Sequence, residues 1–524
     1  MPTDSVDSPA NNPVHVELPY DADCCNICTK LIDLDEKISR AKAIVQDLLR
    51  QRESFRSKFN QAHPSLLDRF PVEVASTIFE FYVSSADGKE SPFTLGAVCR
   101  RWRSIVWSTP NIWTTLSISR SGTRRVLLSE TRVQLMKDYL GRSGKRPLSI
   151  TLHVSPLKQE LPQFHTLMKA INQHCDHWYS LDLKFSRAFL SSLTDSGCTS
   201  SPLQKLSISL PMRSNVMIDT LTRIAPRIVV MRASFLNIVG MNWTNVTHLT
   251  VSCLPTDKAF QIFRMSPCLQ KCTFGSVMFR NANSPTEACS PVTHTVLESL
   301  EIKFQHEQAE ESFFNNLTLS NLKHLDVRGK DIELRAEHLV PFLARSSNEL
   351  KSLSIDEDDY AGEGLIHIVR VTPSLERLCI ARGNADEDHM DLFFDALASH
   401  LPNDSSGLSS PVDPLLPLLQ TFEWTGDGTF PWDVIRGRFL IPLSPTDNNL
   451  RRPLEMIKVC FVEDEEDDTV PYIDEHTMLQ LMPFIDQIKF SFTIGVNGGW
   501  DDVWKLSVDR ITREKTNKGI LISS

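Results

Sequence analysis

The phrase Leu322-Lys-His-Leu325-Asp-Val327 is followed by Leu350-Lys-Ser-Leu353-Ser-Ile355 and then by Leu375-Glu-Arg-Leu378-Cys-Ile380. Each reads apolar, two others, apolar, one other, apolar. Upstream the phrase recurs as Leu297-Glu-Ser-Leu300-Glu-Ile302, Leu269-Gln-Lys-Cys272-Thr-Phe274, Val246-Thr-His-Leu249-Thr-Val251 and Leu203-Gln-Lys-Leu206-Ser-Ile208. Trp178-Tyr-Ser-Leu181-Asp-Leu183 and Ile228-Val-Val-Met231 fit as degenerate members. Downstream, Leu419-Gln-Thr-Phe422-Glu-Trp424 and Leu454-Glu-Met-Ile457-Lys-Val459 are looser copies. From Val246 to Leu375 the starts lie 23, 28, 25, 28 and 25 residues apart.

Apolar residues two apart make a short strand with one buried face. A helical stretch precedes the strand, as Leu339-Val-Pro-Phe342-Leu343 does before Leu350. Neither element can bury its apolar side alone, so units must stack. The spacing is that of leucine-rich repeats, about 20–29 residues. An α/β solenoid over residues 146–500 is therefore predicted. The asparagine common after the strand in such repeats is absent, which points to irregular repeats with helical convex sides. The intervening residues Lys323, His324, Asp326, Lys351, Ser352, Ser354, Glu376 and Arg377 are predicted to face the concave side. They are either a solvated face or a surface for an extended protein target, and the second reading suits a fold without an enclosed pocket.

Composition agrees with a large globular chain. It has 524 residues, 41% of them hydrophobic and 23% charged, with a net charge of −10. At about 100–200 residues per domain, more than one core is expected. The mild acidity argues against a general binder of nucleic acid or membrane surfaces. No apolar run reaches the roughly 18–20 residues of a membrane-spanning helix. The start, MPTDSVDSPANNP, lacks the charged and apolar regions of a secretory signal, so a cytoplasmic or nuclear location is expected. The scattered cysteines read as reduced thiols.

Residues 1–28 are polar and predicted disordered. Over 29–63 a heptad series begins. Leu31, Ile38, Val45, Arg52 and Phe59 alternate with Leu34, Ala41, Leu48, Phe55 and Ala62, and nine of these ten positions are apolar. That is a helical seam, ended by Pro64. It fits a coiled coil joining two chains, and equally a single helix folded onto the next domain.

Residues 64–115 form a small block of helices. Pro71 suits the first turn of one helix. Val72, Val74, Ile78, Phe79, Phe81 and Tyr82 then cover most of its surface. A second helix puts Leu95, Val98, Cys99, Trp102, Ile105 and Val106 on one face. Tryptophans 102, 107 and 113 fall within twelve residues, more aromatic surface than so short a block needs for itself. It is either a small aromatic-rich core or a surface of which part belongs to another protein.

The run Leu66-Leu67-Asp68-Arg69-Phe70-Pro71-Val72-Glu73-Val74, then Ile78-Phe79, then Val98-Cys99-Arg100-Arg101-Trp102-Arg103-Ser104-Ile105 and Ser108-Thr109-Pro110-Asn111-Ile112-Trp113, resembles an F-box domain. It is most similar to the F-box-like proteins abundant in basidiomycete fungi, which also carry a heptad helix before the box. Phe70 stands where the family usually has Leu. The resemblance implies docking to a Skp-type adaptor and, through it, to a cullin ubiquitin ligase. By family matching, Phe70, Pro71, Val74 and Ile78 lie at or near that contact, and Val98, Cys99, Trp102 and Trp107 support or share it. The chain would be a substrate receptor, not an enzyme. The alternative is a scaffold whose helices merely cap the solenoid.

Residues 99–146 hold eleven Lys plus Arg against Glu130 and Asp138, a local charge of +9. The section 116–145 reads as a basic connector, and residues 501–524 as a tail. Nucleic-acid contact is disfavoured because few aromatics are interleaved. Cys24, Cys25 and Cys28 lack a second pair to complete a zinc site. His174-Cys175-Asp176-His177 packs possible metal ligands together, but its place in a helix-to-strand turn favours capping and solvent contact. The acidic run 463–468 reads as a surface loop and 402–417 as an insertion. No phosphate loop, nucleophile elbow or H-E-x-x-H motif is present, and no cofactor or catalytic residue is predicted.

Overall fold

A computed structural model describes residues 22–522. The longer stretches left out are 63–69, 86–90, 119–127, 155–159, 185–189, 211–214, 280–289, 357–361, 382–386, 399–413, 441–450 and 462–471, beside several of one to three residues. The expected disorder of 1–21, the motif residues Leu66–Arg69, the acidic run and most of the 402–417 insertion lie outside the described residues.

The chain opens with helix α1 (Ala22–Ala62). A helical block follows: α2 (Val72–Ser85), α3 (Pro92–Val98), α4 (Arg100–Ser108) and a 3-10 turn, Pro110–Trp113. Next come β1 (Thr115–Ile118), α5 (Glu130–Arg142), β2 (Leu148–His153), α6 (Leu161–Asn172) and β3 (Trp178–Lys184). A strand-rich section holds β4 (Lys205–Ser209), β5 (Asn215–Met217), β6 (Ile228–Arg232), β7 (Phe235–Asn237), β8 (His248–Val251) and β9 (Leu254–Pro255). Helix α7 (Thr256–Met265) leads to β10 (Lys271–Met278), β11 (Val292–His294) and β12 (Ser299–Phe304). After α8 (Glu307–Asn316) come β13 (Leu317–Leu319), β14 (His324–Gly329), α9 (Ala336–Ser346) and β15 (Ser352–Asp356). Then follow α10 (Gly362–Arg370), β16 (Arg377–Ala381), α11 (Glu387–Ala398), β17 (Thr421–Gly426) and β18 (Met456–Phe461). The end is formed by α12 (Glu475–Leu481), β19 (Lys489–Val496), β20 (Gly499–Asp502) and α13 (Val503–Ile522).

The fold is α/β. Among the described residues sixteen strands share one sheet, running in chain order from β1 to β20, with β5, β7, β11 and β13 outside it and β9 at its side. Every pairing in the sheet is parallel except β19 with β20. The recurring phrase explains the register. Its second apolar position forms one continuous row that includes Leu300, Leu325, Leu353, Leu378, Phe422 and Ile457. Its third position forms another, with Ile302, Val327, Ile355, Ile380, Trp424 and Val459. All twelve are buried. A one-residue slip would turn both rows to solvent, so burial itself sets the pairing.

The helices supply the opposing wall. Neighbours α5 and α6, α8 and α9, and α10 and α11 pack in chain order. Phe314 of α8 meets Phe342 of α9 at a ring distance of 4.9 Å. Pro341 sits inside α9, as the sequence reading of Leu339–Leu343 requires.

Three boundaries differ from expectation. Residues 22–28 are helical and belong to α1, because a helix already running in a good heptad extends upstream at little added cost. The basic connector carries regular structure. It contains β1 and α5, whose Val133, Met136, Tyr139 and Leu140 are buried. The mixture of Arg, Lys and apolar residues at helical spacing concealed that buried face. The carboxyl-terminal segment is likewise no tail. Trp504 stacks on Phe492 at 6.2 Å, and Ser507 is fully buried, its hydroxyl accepting from the Ile473 amide at 2.9 Å. The end of the sheet needs such a cover. Among the described residues no helix is long and apolar enough to cross a membrane.

Candidate protein-docking site

The amino-terminal block divides each apolar helix into an inner and an outer side. On α2, Ala75 and Phe79 are buried and Val83 packs partly beneath them. The outer stripe is Val74, Ile78, Phe81 and Tyr82, at offsets of four, seven and eight residues. These stay exposed, Phe81 at 71%. Val72 and Val98 are exposed as well. Together they leave an apolar patch on the outside of the folded block.

The inner side is complete without a partner. Phe79 lies 4.8 Å from the Trp102 ring. Trp113 is fully buried and meets Trp107 edge-on at 5.5 Å, while its indole N–H donates to the Val106 carbonyl at 2.8 Å. Phe93 and Tyr139 close the cluster at 5.4 and 5.0 Å from Trp113. Burial holds the Tyr139 phenol far above its usual pKa. Its hydroxyl donates to the Thr115 carbonyl of β1 at 2.5 Å. The block and the first strand therefore share one core.

Of the two readings of the tryptophans, this arrangement fits the aromatic-rich core. Trp113 has no accessible surface, and Trp102 and Trp107 are half-buried against neighbours. The indoles hold the block together and join it to α5. The surface left over is aliphatic and aromatic, Val72, Val74, Ile78, Phe81 and Tyr82 on α2 with Val98 on α3. Sequence composition counted the rings correctly but could not see α5 folding back to receive them.

The other expected contact residues fall as follows. Phe70 is half-buried, and its carbonyl accepts from Arg101 at 3.4 Å. Pro71 is exposed, ahead of α2, and its carbonyl accepts from the Ala75 amide. Cys99 is exposed and caps α4, its sulfur accepting from the Trp102 amide at 3.4 Å. Val98, one residue before, is 59% exposed. Asn111 donates to Glu80 at 3.0 Å and so ties the 3-10 turn to α2. Phe81, Tyr82 and Val72 were visible in the sequence as apolar residues of α2, but family matching did not single them out.

The cations of the block are partly structural. Arg103 donates to the Gly96 carbonyl at 2.8 Å. The Arg142 guanidinium lies over Trp107 and Trp113 at 4.8 and 5.3 Å. Such stacking favours a cation on an aromatic face. It accounts for some of the local positive charge without any nucleic acid.

A second surface is the open face of the sheet. Between the two buried rows runs a third: Thr273, Glu301, Asp326, Ser354, Cys379, Glu423 and Lys458 occupy successive strands. Its charges meet across strands. Arg328 pairs with Asp326 of its own strand at 2.9 Å and reaches Glu301 on β12 at 3.6 Å, and Arg377 meets Glu423 on the next strand at 2.7 Å. Lys323 meets Glu298, and Lys351 meets Glu376, each at 2.9 Å. The Lys323 ammonium holds the exposed Glu298 carboxyl below its usual pKa. Half-exposed pairs of this kind add little stability, but they fix where charge sits.

Among the described residues one group brings metal-binding side chains together. The donor atoms of Cys175, Asp176 and Cys198 lie within 4.8 Å of one another. The sequence reading saw only the first two, because Cys198 arrives from beyond β3. Burial pushes both thiols up, Cys198 to about 12. Three donors fall one short of a closed structural zinc site. Cys28 is exposed on α1; its neighbours Cys24 and Cys25 have no described side chains.

Comparison with models of known protein families finds no match, and comparison with curated proteins finds none either.

Proposed function

We propose that this chain is a substrate-recognition subunit of a Skp-cullin-F-box type ubiquitin ligase. In this reading the F-box-like block docks on a Skp-type adaptor, and a leucine-rich-repeat solenoid, built on the parallel sheet, holds a protein target. The observation that carries it is the outer stripe of α2, Val74, Ile78, Phe81 and Tyr82, left exposed beside a core that is already complete. Pro71, Val74 and Ile78 belong to both the stripe's neighbourhood and the F-box-like motif. Docking would bury these aliphatic and aromatic groups at roughly 25 cal/mol per Å² of apolar area. The paired charges on the strand face would orient a target. Ubiquitin transfer would be accelerated by proximity alone, with no catalytic residue from this chain.

Co-expression with a Skp-type adaptor tests the reading. Pro71→Ala with Ile78→Ala should abolish co-purification while the thermal transition of the sheet is kept. Equal recovery of adaptor by both proteins would refute the contact.

A second reading is favoured by the shared core of Trp113, Tyr139 and β1. Here the block only caps the first strand of a scaffold. That reading expects no adaptor recovery by the unaltered chain, and loss of sheet stability when the block is removed.

A further inference from the structure

Helix α1 is 41 residues long, and its seam is bare. Leu31, Leu34, Ile38, Val45, Leu48, Phe55 and Phe59 are each between 49% and 68% exposed. A water-soluble helix gains most of its stability from packing an apolar face. The polar flank, by contrast, is internally paired. Lys37 meets Asp33 at 2.6 Å, Arg40 meets Glu36, and Gln51 donates to Asp47 at 2.8 Å. The seam is the part of α1 that requires another surface.

We propose that α1 packs antiparallel on α1 of a second copy of this chain, centred between Val45 and Leu48. Residue size and charge both select this arrangement. In an antiparallel pair the two heptad series face each other. Leu31 then meets Ala62 of the second copy, Leu34 meets Phe59, Ile38 meets Phe55, and Val45 meets Leu48. Arg52 falls opposite Ala41, where a small side chain leaves room for its stem. Each small seam residue is matched with a large one. A parallel pair would set Arg52 on Arg52, Ala41 on Ala41 and Ala62 on Ala62. That combination places two like charges in the seam and leaves voids beside it.

Charge along the helix points the same way. Residues 30–37 hold Asp33, Asp35 and Glu36 against Lys30 and Lys37, a net of −1. Residues 50–58 hold Arg50, Arg52, Arg56 and Lys58 against Glu53, a net of +3. Antiparallel packing lays each acidic end on a basic end, with Asp35 flanking Arg56 of the second copy. Lys37 flanks Lys58, a like-charged pair of long, solvated side chains whose repulsion is weak. The inference is independent of adaptor docking, because the outer stripe of α2 is a different surface.

Light scattering on the full chain should give twice its mass of 59.4 kDa. Val45→Asp with Leu48→Asp should halve that value and leave the thermal transition of the sheet in place. Orientation is read by cross-linking in a background with Cys24, Cys25 and Cys28 changed to Ser. Ile38→Cys and Phe55→Cys proteins should form a disulfide dimer when mixed, and neither should do so alone. In the antiparallel pair the two Ile38 positions are about 25 Å apart. A monomeric chain, a dimer that survives the double Asp substitution, or a dimer cross-linked through Ile38→Cys alone would each overturn the proposal.

Discussion

Gly96 lies directly against the indole of Trp107. A Cβ built on Gly96 would stand 2.0 Å from that ring, far inside contact distance. Only glycine lets α3 approach α4 this closely, and Arg103 seals the approach by donating to the Gly96 carbonyl.

Gly96→Ala should therefore displace Trp107 and unfasten the block from α5. A loss of about 1–3 kcal/mol is expected, as for other overpacked sites. Denaturant unfolding followed by tryptophan fluorescence checks it; an unchanged midpoint would show that the ring moves freely.

The two sides of α2 should separate stability from binding. Phe79→Ala removes a buried ring beside Trp102 and should destabilise by about 3–5 kcal/mol. Ile78→Ala, one residue away and exposed, should change stability by no more than about 0.5 kcal/mol. Parallel urea titrations of the two variants make the comparison.

Cys99 caps α4 with sulfur, a weak acceptor. Cys99→Ser places a hydroxyl at the same point and should stabilise the chain by about 0.5–1 kcal/mol. A fall in thermal midpoint would contradict the capping role.

Glu310 on α8 is fully buried and meets the His338 imidazole of α9 at 3.1 Å. Burial raises its pKa above the ordinary 4.5, against the opposing pull of His338 and Arg335. The folded state thus holds the proton more tightly than the unfolded state. Stability from this group is greatest below pH 4.5 and declines as pH rises through the elevated folded value. Glu310→Gln should flatten that decline, seen as a smaller change in thermal midpoint between acid and neutral pH.

Arg452 is 5% exposed and donates to the carbonyls of Leu397 and Leu415 at 3.0 and 2.9 Å. Burial lowers its pKa to about 10. Arg452→Ala would leave two buried carbonyls without this donor and should cost about 2–3 kcal/mol, measurable by urea titration.

The strands were legible because their signal is local. A residue at every second place, repeated at a steady interval, needs no knowledge of the rest of the chain, and each phrase from Leu203 to Leu454 falls on a strand of the sheet. The elements that escaped notice, β1, α5, β20 and α13, occur once each and carry no repeat to announce them. They close the two ends of the sheet, where a strand edge has to be met by something other than another copy of the phrase.

The amino-acid sequence alone determined the α/β alternation, the apolar rows and the seam of α1, since these follow from side-chain period. Only the tertiary structure decided which apolar groups remain available. Trp113 and Phe81 look equally suited to a partner in sequence, yet one is sealed behind Tyr139 and the other stands in solvent. Hydropathy is a property of a residue, whereas exposure depends on what distant chain folds over it.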